Sequence, residues 1–161
     1  MSAEEPGGIR FAFYGVTTET DRGIAGIHLA YQRAKAAALI DGHGHITAAH
    51  TDRCDVRQPW RHRPEAVRLL ETAREAERDF DAIVAGAAAE IFHGTQHTLT
   101  IAVLTHHGIG LWLPETGGPV NPGSAEHELI LDVACGPTIS AYRSAIARLH
   151  QRLRDLPAQR P

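Results

Sequence analysis

The chain has 161 residues, of which 43% are hydrophobic and 22% charged, and it carries a net charge of −3. That length and apolar content suit one domain with a real core and exclude a disordered chain, while no apolar run approaches the length of a membrane span. The acidic balance also argues against a dedicated nucleic-acid-binding domain, whose affinity rests on a basic excess.

Residues 1–8 lack the basic and apolar regions of a signal peptide, so a cytoplasmic location is expected. Residues 9–16, IRFAFYGV, are apolar and aromatic and read as a first strand. Residues 24–40 are alanine-rich with a helical apolar rhythm, stopped by Asp41-Gly42 and Gly44. A second strand is read at 45–50, followed by a polar loop at 52–62. Arg63-Pro64-Glu65 opens a second helix, with proline at a position the first turn tolerates and Val67, Leu69, Leu70 and Ala73 as its buried stripe. Residues 80–85, FDAIVA, form a third strand of the fully buried type.

A loop at 86–94 leads into a helix at 95–107, and residues 109–113 form a fourth strand. The glycine- and proline-rich stretch 114–123 reads as a long loop. Two helices, 124–134 and 137–156, close the chain. The last is long and amphipathic through Ile139, Tyr142, Ile146, Leu149 and Leu153. This alternation implies an α/β fold: a mostly parallel four-stranded sheet flanked by helices, with a long C-terminal helix. One domain over 1–161 is expected, with 1–8 and 157–161 flexible and no separate DNA-binding domain. In such sheets ligands sit outside the carboxyl ends of the strands.

Cys54 and Cys135 fit no metal or redox spacing and read as free thiols of a reducing compartment. Lys35 is the sole lysine against fifteen arginines, a bias of GC-rich genomes such as those of actinomycetes. Eleven histidines are present. His43 with His45, and His93 with His97 at i, i+4, could suggest a metal, but no HExxH and no third ligand is evident, so no metal and no cofactor are expected.

The segments FAFYG, YQRAKAAAL, QPWRHRPEAVRLL, FDAIVAG, HGTQ and GIGLWLPETGG occur in that order between about residues 10 and 152. Together they resemble the serine recombinases (resolvases and invertases), above all the recombinase-like proteins of actinomycetes. The resemblance implies a resolvase-like fold, dimerisation through the C-terminal helices, and a serine that attacks a DNA phosphate among clustered arginines.

Against that pattern the site reads as degenerate. The serine place falls on Thr18 without a gap, or on Thr17 with one deletion, and the arginine beside it is missing. Asp52 matches an acidic residue and Arg63 a retained arginine. Glu90 stands where the resemblance implies an arginine, which turns local attraction for phosphate into repulsion. Ala141-Tyr142, followed by Arg143, replaces an acidic-Arg pair.

The expected catalytic set is therefore Glu90, His93, His97, Arg63, Thr18 and Thr17, gathered in one cleft with Tyr14, Asp52, Phe92 and Glu115 as ligand-binding residues. Three functions are open. The old cleft is repurposed to bind or transform a small molecule, as in actinomycete specialised metabolism. The chain is a catalytically inactive, dimerising regulator. Or it is a residual DNA recombinase. The first is the expectation, because simple decay would leave neutral replacements rather than Glu90 and nearby histidines. DNA binding is expected to be weak or absent.

Overall fold

The computed structural model describes residues 7–136 and 139–157, with side chains of the last helix described from 146 onward. Its centre is β1 (Ile9–Thr17), where seven consecutive residues from Phe11 are buried. A strand buried on both faces must lie inside the sheet, and β1 does so. It pairs in parallel with β2 (Gly44–Arg53) on one side and β3 (Ala82–Val84) on the other. β3 pairs in parallel with β4 (Gly110–Leu113), which gives the order β2-β1-β3-β4-β5.

The fifth strand is a departure from the sequence reading. β5 is only Gly118–Pro119, within the stretch read as loop, and it returns antiparallel on β4. The return begins at Gly117, whose φ of 66° suits glycine. Two residues are too short for any alternation to show in sequence.

The alternation of β1 divides the core. Phe11 and Phe13 pack with Ala36, Ile40 and Trp112 under α1 (Arg22–Ile40), the helix that covers this face. Ala12, Tyr14 and Val16 face the other way, into a larger cluster. There Ala66 and Leu69 come from α2 (Pro64–Ala73), Ile91 from the short α3 (Ala88–Ile91), Ile101 and Leu104 from α4 (Gln96–His106), and Leu131 from α5 (Ala125–Ala134). The loop read at 86–94 thus holds one turn of helix.

Caps set two helix starts. Asp21 accepts from Ile24 N at 3.0 Å and Ser124 from His127 N at 3.2 Å. The last helix, α6 (Ile139–Arg154), packs on α5. Arg148 reaches Asp132 at 3.5 Å and Arg152 reaches Glu128 at 3.9 Å. Of its expected apolar stripe, Ile146 and Leu149 are half-buried and Leu153 is 56% exposed, while the side chains of Ile139 and Tyr142 lie outside those described. Residues 141–143, which replace the acidic-Arg pair, are likewise without described side chains.

Candidate functional site

The strands end unevenly, and this creates the site. β1 runs to Thr17, but its pairing with β3 stops at Phe13–Val84. Beyond that point the β3 side of β1 needs other partners. Gln32, buried on α1, supplies them: its Nε2 donates to Val16 O at 2.8 Å and its Oε1 accepts from Val16 N at 3.2 Å. A Cβ at Gly15 would stand 2.9 Å from Gln32 Oε1, so glycine there permits the close approach of α1.

On the β2 side the ends of β1 and β2 open into a cleft of 270 Å³ walled by Thr17, Thr51, Asp52, Arg53, Ala25 and Leu29. Thr17 is buried and its Oγ1 accepts from Glu19 N at 3.2 Å, whereas Thr18 is exposed.

Asp52 does not point a free carboxylate into this cleft. Its Oδ1 accepts from Glu65 N and its Oδ2 from Ala66 N, both at 2.9 Å, and the Tyr14 hydroxyl donates to Oδ2 at 2.8 Å. It thereby caps α2 from across the fold, a helix whose own N-cap, Arg63, provides no side-chain cap. The Tyr14 hydroxyl is held far above the ordinary tyrosine range, first by burial and in spite of the Arg63 charge beside it.

Arg63 itself is 0% exposed. Its Nε donates to Gln58 O at 2.9 Å, its Nη1 to Ile91 O at 2.7 Å and to the Tyr14 hydroxyl at 3.4 Å, and its Nη2 to Val56 O at 2.7 Å and Gln96 Oε1 at 3.3 Å. A guanidinium has five N–H groups, and all five partners here are protein atoms. The Trp60 ring lies 5.8 Å below it.

At the end of β3, Glu90 meets Lys35 of α1, with Nζ 2.6 Å from Oε1. Glu90 Oε2 is buried with no hydrogen-bond partner, 2.9 Å from where a Cβ on Gly86 would sit. Among the described residues, no hydrogen bond or ion pair joins Glu90 to Arg63, His93 or His97. His93 N donates to Gln96 Oε1 at 3.1 Å. His97 is buried on the far side of α4, with Nδ1 3.1 Å from Gly94 O and Nε2 3.3 Å from Asp132 Oδ1. Phe92 is core, stacked on Trp60 at 5.3 Å. Glu115 Oε1 accepts from Ala88 N at 2.8 Å, at the start of α3. No three His, Cys, Asp or Glu side chains converge on a metal position among the described residues.

No protein-family model matches the chain, and no curated protein matches it in sequence. Solved structures do. The N-terminal catalytic domain of TP901-1 integrase superposes with a TM-score of 0.59 at 17% identity, over 90% of this chain and 98% of that one. A resolvase family site-specific recombinase from Streptococcus pneumoniae gives 0.58 at 14%, over 91% and 97%. The C-terminal catalytic domain of ISC1926 TnpA, an IS607-like serine recombinase, gives 0.53 at 11%, over 90% and 86%.

The fold is that of a serine recombinase catalytic domain.

Within the recombinase fold, the ten residues expected to share a cleft are dispersed. Thr17 and Asp52 meet in the β1–β2 cleft, beside the exposed Thr18. Tyr14, Asp52 and Arg63 form one buried network beneath it. Glu90 belongs to a pair on the α1 side, Glu115 caps α3, Phe92 is core and His97 turns toward α5. The joining of Glu90, Arg63 and a histidine in one pocket is therefore corrected: three backbone carbonyls, the Tyr14 hydroxyl and Gln96 take the arginine, and Lys35 holds one oxygen of the carboxylate. Sequence reasoning had singled out Lys35 only as the sole lysine. Gln32 and Gln96 fall outside the expected site set, with no spacing in the sequence to mark them, and so does Arg53, although it lies beside Asp52 at the carboxyl end of the second strand.

Proposed function

We propose that this chain keeps the recombinase fold without DNA strand transfer, and that the cleft at the carboxyl ends of β1 and β2 holds a small polar molecule instead. The state of Arg63 carries the reading. Phosphoryl transfer is catalysed by positioned charge, with cationic donors aimed where negative charge develops. A guanidinium that is fully enclosed and bonded to five protein acceptors offers no such donor. Lys35 is likewise engaged by Glu90. In the cleft wall the remaining cation is Arg53, with the Thr17 and Thr51 hydroxyls near it. One exposed arginine suits a small anionic or polar group better than a duplex backbone, which is held by many phosphate contacts at once. The same reading places the chain in the cytoplasm, with weak or no DNA binding.

The experiment is a denaturing gel after incubation with supercoiled and oligonucleotide DNA. No covalent protein–DNA product is expected. An adduct that disappears in Thr18→Ala or Thr17→Ala would overturn the proposal and restore the recombinase reading.

A second reading, a dimerising regulator without a ligand, draws on one observation: Leu153 near the end of α6 is 56% exposed and Leu156 just beyond it 62%, two apolar side chains that a second copy would cover. Both readings predict a homodimer through the C-terminal helices. Only the first predicts that Arg53→Gln abolishes ligand binding while leaving the dimer intact.

A further inference from the structure

The outward side of α1 is apolar. A surface helix ordinarily carries charge on the side away from the core, as α6 does through Arg148, Arg152 and Arg154. Within α1 there is no acidic residue, and Lys35 is paired with Glu90. Of its exposed residues only Arg22, His28 and Arg33 can carry charge. The others are glycine, alanine, isoleucine and tyrosine, with Ile24 45%, Ile27 70% and Tyr31 63% exposed.

Spacing and side-chain size say what fits there. Ile24, Ile27, Tyr31, Ala34 and Ala38 follow one another at intervals of three and four residues, the spacing of a seam between two helices, and all are exposed. The seam is graded: bulky in its first half, alanine in its second. A second copy running parallel would set Ile27 on Ile27 and Ala38 on Ala38, crowding one end and leaving a gap at the other. A second copy running antiparallel sets bulk on alanine. Tyr31 then lies opposite Ala34 and Ile27 opposite Ala38, with a two-fold axis between Gln32 and Arg33. Such a face is complementary to itself, as a contact between identical surfaces requires. Charge at the ends agrees. Arg22 and Asp41 stand at opposite ends of α1, and neither forms an ion pair among the described residues. The same register brings Arg22 of each copy to within about 3 Å, along the axis, of Asp41 of the other.

We propose that the outward side of α1 is a contact between two copies of this chain, antiparallel about a two-fold axis and separate from the C-terminal helices. Its size sets its strength. In this register about 16 residues overlap over roughly 24 Å, and a helix about 10 Å wide covers roughly 240 Å² on each copy. A stable interface takes about 800 Å² from each partner. Arg33 of one copy also comes level with Arg33 of the other beside the axis, a like-charge pair that weakens the contact. The contact therefore forms at roughly hundreds of micromolar rather than tens.

The test uses the full chain. For crosslinking, Cys54→Ser removes the thiol that is not buried. Ile27→Cys and Ala38→Cys are then each expected to stay uncrosslinked alone under air and copper phenanthroline, because like positions of the two copies lie about 16 Å apart along the axis. Mixed together, the two variants are expected to form a disulfide with each other. Disulfides within each variant alone would show a parallel or random contact and overturn the proposal, and so would the absence of any crosslink in the mixture. In sedimentation or light scattering, the apparent mass of the native chain is expected to rise toward double between tens and hundreds of micromolar. Ile27→Glu changes an exposed side chain and is expected to lose that rise while keeping the native melting temperature. A mass that does not rise, or a rise that survives Ile27→Glu, would overturn the proposal. Vesicles of anionic phospholipid test the other cover for an apolar helix face. Vesicle binding that Ile27→Glu abolishes, in a chain whose mass does not rise, would assign the face to lipid and would also overturn it.

Discussion

Replacing Arg63 by alanine separates a structural arginine from one held ready for a ligand. The change removes every donor of the guanidinium, but the acceptors do not suffer equally. Ile91 O keeps Trp60 Nε1 at 3.1 Å, Val56 O keeps Gln96 Nε2 at 3.2 Å, and the Tyr14 hydroxyl still donates to Asp52. Gln58 O is the acceptor left with nothing. One unsatisfied, part-buried carbonyl costs about 1–3 kcal/mol, and loss of a fully packed side chain of this size adds about 2 kcal/mol or more. The sum is about 3–5 kcal/mol. At roughly 2–4 °C per kcal/mol for a domain of this size, the melting temperature should fall by about 6–20 °C in circular dichroism or calorimetry. Arg63→Met retains most of the stem and should recover part of that loss. Arg63→Lys should not recover it all, because three donors on one nitrogen cannot serve acceptors arranged around a planar fork. A melting temperature within about 2 °C of the native chain for Arg63→Ala, below the shift expected for even 1 kcal/mol, would refute the reasoning and leave Arg63 free to act on a ligand.

Gln32→Leu should expose the price of the uneven strand ends: both backbone groups of Val16 lose their partner, a loss of about 2–4 kcal/mol, and hydrogen exchange at the Val16 amide should speed up relative to Phe13. Glu90→Gln should cost about 1 kcal/mol or less, since its pair with Lys35 is partly exposed; a larger loss on unfolding by denaturant would show that more than this pair depends on the carboxylate. Asp81, bonded by Arg10 through Nε, Nη2 and the backbone N, is held below the ordinary aspartate range by those bonds. A lowered folded value means stability that is present above the unfolded value of about 3.9 and is lost as pH falls through the folded one. Asp81→Asn should therefore weaken the fold by under about 1 kcal/mol at neutral pH and converge with the native chain in acid; a constant difference down to low pH would contradict this. Leu153→Glu should shift the chain from dimer to monomer in light scattering, and a native chain that is already monomeric at tens of micromolar, an order-of-magnitude working concentration, would remove the dimer from both functional readings.

The four longer strands, the mostly parallel character of their sheet and most of the helices between them were legible in the sequence, whereas the order of the strands in the sheet came from the structure. The reason is that apolar runs such as FAFYG and FDAIVA are long enough to record burial on both faces, and helical rhythm persists over 24–40. The resemblance to serine recombinases rested on the same segments, and the superpositions agree with it at the level of fold. What failed was the local assembly of charges. Sequence order placed Glu90, His93, His97 and Arg63 near the ends of strands, and from there a shared cleft was a reasonable expectation. Side-chain direction is set by tertiary packing. α1 crosses close enough to Gly86 for Lys35 to take Glu90, the 54–63 segment folds back so that its carbonyls take Arg63, and α5 brings Asp132 to His97. A strand or helix is determined by near neighbours in the chain, whereas the partner of a buried charge is whichever distant group the fold delivers to it, and here those partners stand 5 to 55 positions away.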